Sequence, residues 1–388
     1  MEHNLLSKIL ILGGDGYLGW PTAIHFASKG WEVCSIDNYA KRRISSESLS
    51  QPLVDFPQMD IRTKYLKELL GLNIEHITGD LRDYDFICDI VKNFCPDTIV
   101  HYAEQPSAPY SMHNYDTAFF TLQNNLEATF NVLWAVMEHA PECHIIKLGT
   151  MGEYGTPNID IEEGWLDVTH NGRKSKFLYP RAAGSLYHTT KVLDTDLIWF
   201  YVRNRGITVT DLMQGPVYGL ETYENVNHPK LYPHLYYDDI FGTVLNRFLV
   251  QAVAGIPLTV YGEGGQTRGY LNIKDTLQCV FLAAINPPPV GELKIMNQFT
   301  ETFSVNELAK SVQEAANLIG MKTKVQNIKN PRKELENHYY NPKHTGFKEL
   351  GIKPHLLNNE VLVNMLDYIR VNAAKINTNI VMPRQGWS

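Results

Sequence analysis

The chain is 388 residues long, more than one ordinary domain holds, and with 44% apolar and 20% charged residues its composition is globular and excludes collagen, coiled coil and disorder. Thirty-five Lys and Arg against 42 Asp and Glu give a net charge of −7, the wrong sign for a protein that grips nucleic acid through its overall field. Five cysteines, Cys34, Cys88, Cys95, Cys143 and Cys279, form an odd set without a C-x-x-C pair, which argues against a disulfide framework or a structural zinc site and for a reducing compartment. In chain order, the first apolar stretch, residues 9–12, is too short for a signal-peptide core, and no run of about 18 apolar residues follows. Neither export nor a membrane span is expected, and the cytoplasm is the expected compartment. Short apolar runs then predict strands over residues 8–13, 31–37, 74–78, 98–103, 144–149 and 207–212, alternating with helical patterns over 16–29, 62–70, 86–94, 116–139 and 185–204. That rhythm is α/β and fits a doubly wound parallel sheet. Beyond Gln214 prolines punctuate shorter elements: a helix over 239–253, a strand over 258–261, and helices over 274–284 and 305–318, the last entered through a Ser304/Glu307 capping box.

Directly after the first strand comes Gly13-Gly14-Asp15-Gly16-Tyr17-Leu18-Gly19, a G-x-x-G-x-x-G turn leading into a helix. Glycine suits such a turn because the backbone must adopt unusual dihedrals and approach a pyrophosphate, which the helix N–H groups and dipole then hold. The second strand ends in Asp37, eighteen residues beyond Gly19, where a carboxylate accepts hydrogen bonds from adenosine ribose hydroxyls and repels a 2′-phosphate. NAD is therefore expected over NADP, although Lys41, Arg42 and Arg43 follow closely and are able to bind a phosphate. Gly13, Asp15, Gly16, Tyr17, Leu18, Gly19, Asp37, Asn38, Arg42, Asp80, Leu81 and Asn124 make up the expected cofactor contacts, with Tyr187, Lys191, Gln214 and Val217 at the nicotinamide end.

Tyr187-His188-Thr189-Thr190-Lys191 carries a phenol and an ammonium four residues apart at the start of a helix, hence on one face. A phenol ordinarily keeps its proton to about pH 10, so its use as a base near neutrality needs a neighbouring cation, which Lys191 and the nicotinamide charge supply. Thr150, at the end of the fifth strand, is placed to hydrogen-bond the same reacting hydroxyl.

Further segments extend this pattern: Glu104-Gln105 with Ser107-Ala108-Pro109-Tyr110-Ser111-Met112, Leu148-Gly149-Thr150-Met151-Gly152-Glu153-Tyr154-Gly155, Thr169-His170-Asn171-Gly172-Arg173, Gly264-Gly265-Gln266-Thr267-Arg268-Gly269, Asn297-Gln298-Phe299-Thr300-Glu301 and His338-Tyr339-Tyr340-Asn341. With the glycine loop, Asp37, Thr150 and Tyr187/Lys191 they resemble the extended short-chain dehydrogenase/reductase superfamily and, within it, the UDP-sulfoquinovose synthase family. The resemblance runs over residues 8–383 and implies a Rossmann lobe, residues 1–213, joined to a smaller C-terminal UDP-sugar-binding lobe, 214–388, some of whose segments return to the first. It implies tightly held NAD, and UDP-glucose and sulfite as substrates: carbon 4 is oxidised, water leaves carbons 5 and 6, sulfite adds at carbon 6, and carbon 4 is reduced again. Related dehydratases place Asp-Glu directly after the threonine, where this chain has Met151-Gly152. Proton handling at carbon 5 is therefore expected to fall to His188 or Glu153. The chain departs from the pattern at Pro106, where plant members carry arginine.

By the same resemblance Arg247, Gln266, Arg268 and Arg332 bind the UDP diphosphate, guanidinium groups offering a planar fork that matches phosphate oxygens, while Thr150, Met151 and Gln214 line the sugar. No residue stands out as a metal ligand or as the sulfite site. Helices 116–139 and 185–204 carry more apolar side chains than one buried face needs, among them Phe119, Phe120, Trp134, Trp199 and Phe200. Similar enzymes pair through these helices, so a homodimer or dimer of dimers is expected, without nucleic-acid or membrane partners. A sugar 4-epimerase or 4,6-dehydratase is the alternative within the superfamily, and Met151-Gly152 speaks against the dehydratase. A redox-sensing regulator that binds NAD without turnover would lack the Tyr187/Lys191 pair.

Overall fold

The computed structural model describes residues 7–331, 335 and 337–382. Its first half alternates β1 (Lys8–Leu12), α1 (Gly19–Ser28), β2 (Glu32–Asp37), α2 (Ala40–Glu47), α3 (Met59–Leu70), β3 (Glu75–Thr78), α4 (Tyr84–Phe94), β4 (Thr98–His101), the short α5 (Ala108–Ser111), α6 (Tyr115–His139) and β5 (His144–Thr150). A hairpin of β6 (Trp165–His170) and β7 (Arg173–Leu178) precedes α7 (Leu186–Arg205) and β8 (Thr208–Gln214). After β9 (Val217–Tyr218) come α8 (Val244–Ala254), β10 (Leu258–Tyr261), β11 (Thr267–Asn272), α9 (Ile273–Ile285), β12 (Leu293–Gln298), β13 (Glu301–Ser304), α10 (Val305–Leu318), β14 (Val325–Ile328), α11 (Gly346–Glu349) and α12 (Asn359–Val371).

Seven strands form one parallel sheet in the order β12-β8-β5-β4-β1-β2-β3. The order reverses between β1 and β4, and such a switch point opens a crevice at the carboxyl ends of the strands. Both faces are covered, which is why the strands read as unbroken apolar runs. Leu10 and Leu12 pack with Val132, Val136 and Ile198 of α6 and α7, whereas Ile9 and Ile11 between them point the other way, to Trp20, Ile24 and Val280 of α1 and α9. A third core joins Phe248 and Leu249 of α8, Leu308 and Val312 of α10, and Leu362 and Leu366 of α12.

Several expected boundaries move. The helix expected over 239–253 begins only at Val244: Asp238 Oδ1 accepts from the Ile240 and Phe241 amides at 2.8 and 3.0 Å, holding a turn, and Thr243 then caps α8 by accepting from Asn246 N at 3.3 Å. The helix expected from residue 16 starts at Gly19, because the glycine turn occupies the intervening residues. Strands β5 and β8 run on to Thr150 and Gln214, and a seventh strand, β12, pairs with β8 from Leu293↔Val209 to Gln298↔Gln214. The Ser304/Glu307 capping box opens α10 as expected. Among the described residues no helix is long and apolar enough to cross a membrane.

Candidate active site

A cavity of about 500 Å³ lies in the crevice. Gly13, Asp15, Gly16, Tyr17, Leu18, Gly19, Asp37, Asn38, Arg42, Asp80, Leu81, Asn124, Tyr187, Gln214 and Val217 all line it, and Lys191 lies just beneath, 2% exposed. His234, Tyr236 and Thr243, from the chain before α8, add to its lining, held near by Ser107 Oγ donating to Ile240 O and Ser50 Oγ donating to Asp238 Oδ2, both at 2.6 Å. Gly13 has φ +88°, and a Cβ on Gly19 would lie 1.9 Å from Gly13 O, so a side chain there would force the turn apart. Among the described residues no side chain caps α1, which leaves its positive end to a ligand anion.

Asp37 accepts from the Asp15 amide at 2.9 Å and the Tyr39 amide at 2.7 Å; burial, assisted by Asp15, pushes its carboxyl up to about 6. Asp15 is clasped by Arg42 through Nε at 2.6 Å and Nη2 at 2.7 Å, and by Arg62 Nη1 at 2.9 Å. Lys41 lies over the rings of Tyr236 and Phe241, at 4.7 and 4.9 Å, and Arg43 faces Glu47 at 3.8 Å. The cations beside Asp37 thus have protein partners. Glycine turn, uncapped helix and buried acceptor together fit a dinucleotide whose adenosine ribose carries free hydroxyls.

At the other end, Thr150, Tyr187 and His188 share the cavity wall with Gly149. Ser185 caps α7, accepting from His188 N at 3.2 Å, and its hydroxyl lies 3.0 Å from His188 Nδ1. Thr150 Oγ1 accepts from Gly152 N at 3.1 Å, which orients the hydroxyl. A Cβ on Gly152 would lie 2.4 Å from His188 Nε2 and 2.5 Å from Cδ2. The imidazole therefore occupies the room that a side chain at 152 would need. Lys191 Nζ donates to Leu148 O at 2.6 Å, pairs with Glu104 Oε1 and lies 5.9 Å from the Tyr187 ring centre. Burial first, then the Glu104 charge, raises the Tyr187 phenol well above its ordinary value.

Glu153 is not on that wall. As the third residue of a capping box opened by Thr150 it turns back, accepting from Thr150 N at 3.2 Å, and is wholly buried against Lys147 Nζ at 3.6 Å and Arg181 Nε at 3.3 Å. The structure thus places the carboxylate expected to act as acid or base behind the cavity wall, in ion pairs with Lys147 and Arg181. Met151 likewise packs into the core with Tyr154 and Phe299 instead of lining the cavity. Arg247 is buried, with Nη1 donating to Tyr261 Oη at 2.7 Å and Nη2 to Thr259 O at 3.1 Å; Gln266 Nε2 donates to Tyr261 O at 3.4 Å. Arg268 Nη1 donates to Thr267 O at 2.8 Å and lies 3.0 Å from His338 Nε2. None of these three lines the cavity, yet β11, which carries Arg268, adjoins it: a Cβ on Gly215 would lie 2.1 Å from Gly269 O. Arg332 falls outside the described residues.

Two features escaped the sequence reading. Glu104, past the end of β4 at the switch point, lines the cavity. Lys147 and Asp211 face each other at 3.5 Å inside β5 and β8, both wholly buried; a lysine and an aspartate inside otherwise apolar strands were the signal, since buried charges require partners.

Residues 9–297 match the model of the NAD dependent epimerase/dehydratase family. The chain is 47% identical over 380 residues to the chloroplastic UDP-sulfoquinovose synthase of Spinacia oleracea, covering 98% of this chain and 79% of that one. It is 44% identical over 386 residues to the UDP-sulfoquinovose synthase of Sulfolobus acidocaldarius, covering 98% and 97%. Among solved structures it resembles the UDP-glucose 4-epimerase of Bifidobacterium longum in complex with NAD+ and UDP, with a TM-score of 0.72 and 19% identity over 95% of this chain and all of the other, a likeness of fold.

Proposed function

The chain belongs to the NAD dependent epimerase/dehydratase family and, within it, to the UDP-sulfoquinovose synthases, and from that premise we propose that it makes UDP-sulfoquinovose from UDP-glucose and sulfite. The observation that carries this reading is the shared wall of Thr150, Tyr187 and His188 at the far end of the cavity from Asp37 and the glycine turn. NAD, when bound, supplies an acceptor and donor of hydride at carbon 4. Gly13, Gly16 and Gly19 would hold its pyrophosphate, Asp37 its adenosine ribose, Asp80 and Leu81 its adenine, and Gln214 and Val217 its nicotinamide end.

Tyr187 takes the proton of the carbon 4 hydroxyl and later returns it, while Thr150 holds the same oxygen and Lys191 stabilises the phenolate. The carbonyl at carbon 4 acidifies the neighbouring carbon 5 proton, which His188 removes and passes to the hydroxyl leaving carbon 6, so that it departs as water. Hydrogen sulfite then bonds through sulfur to carbon 6 and gives up its proton, which His188 delivers to carbon 5, so one water is lost and one hydrogen sulfite gained. With glycine at 152, the imidazole stands where dehydratases carry their own acid/base side chain. Arg268, Gln266 and Arg247, on and around β11, would serve the diphosphate side of the sugar nucleotide, and the part of the chain before residue 214, with β12, the cofactor side.

Tyr115, Phe119, Phe130 and Phe200 on α6 and α7 are 78%, 51%, 41% and 50% exposed. A face this apolar supports pairing with a second copy, and light scattering at micromolar concentration should give twice the chain mass. All five cysteines are free, four of them buried, in keeping with a reducing compartment. The function is tested by incubating purified protein with UDP-glucose, with and without sulfite: a new anionic sugar nucleotide only in the presence of sulfite is expected. UDP-galactose in both reactions would indicate an epimerase instead.

A further inference from the structure

Lys191 is the cation expected to make Tyr187 acidic, yet in this structure its charge is already answered. Glu104 lines the cavity, its side chain is 2% exposed, and its Oε1 pairs with Lys191 Nζ. Its second oxygen, Oε2, meets no hydrogen-bond donor among the described residues. Around the pair, β5 contributes Lys147, which faces Glu153 at 3.6 Å and Asp211 of β8 at 3.5 Å; Arg181 faces Glu153 at 3.3 Å. Asp194 of α7 and His101 of β4 complete the buried surroundings, and His188 lies on the cavity side. Burial, with the like charge of Glu104, raises the Asp194 carboxyl, and burial beside Lys191 and Lys147 lowers His101 to about 3. Lys147 and Arg181 thus face Glu153 and Asp211, while Lys191, the ammonium next to the phenol, is the one that Glu104 faces.

We propose that Glu104 is a positioning residue that neutralises Lys191 and thereby keeps Tyr187 a neutral phenol until a further positive charge enters the cavity. Such an arrangement delays proton loss from Tyr187 to the moment when an acceptor is present, and prevents an unpaired buried phenolate in the resting protein. The inference rests on the reading of Tyr187 as the acid/base given above.

The test uses the intact protein and Glu104→Gln, which keeps shape and removes charge. Without the carboxylate, Lys191 stabilises the phenolate, so Tyr187 loses its proton at lower pH. The acidic limb of kcat against pH should move down by about one unit or more, the usual effect of a charge at this range, with KM for UDP-glucose within about two-fold. A near-ultraviolet titration against the same variant carrying Tyr187→Phe should show one tyrosinate appearing earlier than in the parent. Glu104→Asp, which draws the charge back by one methylene, should give a smaller shift in the same direction and serves if the glutamine variant does not fold. Superimposable pH limbs overturn the proposal. Tyr187→Phe in the parent separates the two readings: retained turnover removes the acid/base role itself, whereas an inactive Tyr187→Phe alongside an unmoved Glu104→Gln profile removes only the role of Glu104.

Discussion

Gly152→Ala would probe the division of labour on the cavity wall with a single methyl group. The added carbon would lie 2.4 Å from His188 Nε2, 2.5 Å from Cδ2 and 2.9 Å from Cε1, against an ordinary carbon contact of about 3.5–4.0 Å. The ring must retreat by about 1 Å or more, and it is held in place by Ser185, whose Oγ lies 3.0 Å from Nδ1. Displacement of a catalytic group by about 1 Å costs on the order of 10²-fold. Thr150 and Tyr187 do not move with the ring, so the variant should still oxidise carbon 4, seen as the reduced-nicotinamide absorbance band on mixing with UDP-glucose. Deuterium uptake at carbon 5 from heavy water, and sulfite-dependent product, should both fall by about 10²-fold. Parental deuterium uptake in the alanine variant would refute the argument, because proton transfer at carbon 5 would then not depend on where His188 sits.

Other perturbations address other parts of the site. Asp37, raised to about 6 in the folded chain from 3.8, favours folding without cofactor at low pH, and that contribution is lost as pH rises through about 6. Ribose hydroxyls favour its ionised form, so NAD affinity should climb between about pH 4 and pH 6 and level off above; a flat calorimetric profile across that window would discard the assignment. Glu153→Gln leaves Lys147 and Arg181 one carboxylate short and should cost about 3–5 kcal/mol of stability, read as a lowered Tm with an unchanged pH optimum; an unchanged Tm with a displaced optimum would return Glu153 to the chemistry. Arg268→Ala should raise KM for UDP-glucose about ten-fold or more with kcat nearly unaltered, as expected for a charged hydrogen bond made equally in ground and transition states; an unaffected KM would remove Arg268 from the diphosphate.

How much of this was legible beforehand depended on burial. The six strands and the glycine turn could be read because strands covered on both faces are apolar throughout, as β1 is from Ile9 to Leu12. Strand β12 hid because its run, Leu293-Lys294-Ile295-Met296-Asn297-Gln298, ends in two amides that are buried at 1% and 0% exposure. The β6/β7 hairpin hid for the opposite reason: β7 is exposed along most of its length and offers no alternation to detect. Its signal was the turn, Asn171-Gly172, with φ of +49° and +76° as a two-residue hairpin demands. For Glu153, the run Thr150-Met151-Gly152-Glu153 already spelled a capping box. What spacing could not convey was the pairing of Lys191 with Glu104, brought together from positions 87 apart only by the juxtaposition of β4 and α7.

Because β12 lies on the outer side of β8, the sheet that carries the cofactor crevice is not finished until residue 298 has been made. A nascent chain halted near residue 214 would emerge from the ribosome with the full length of β8 as an unguarded hydrogen-bonding edge, an invitation to intermolecular pairing. Cutting the gene at the apparent boundary between lobes should therefore yield inclusion bodies, whereas grafting residues 293–298 back through a short linker should restore solubility.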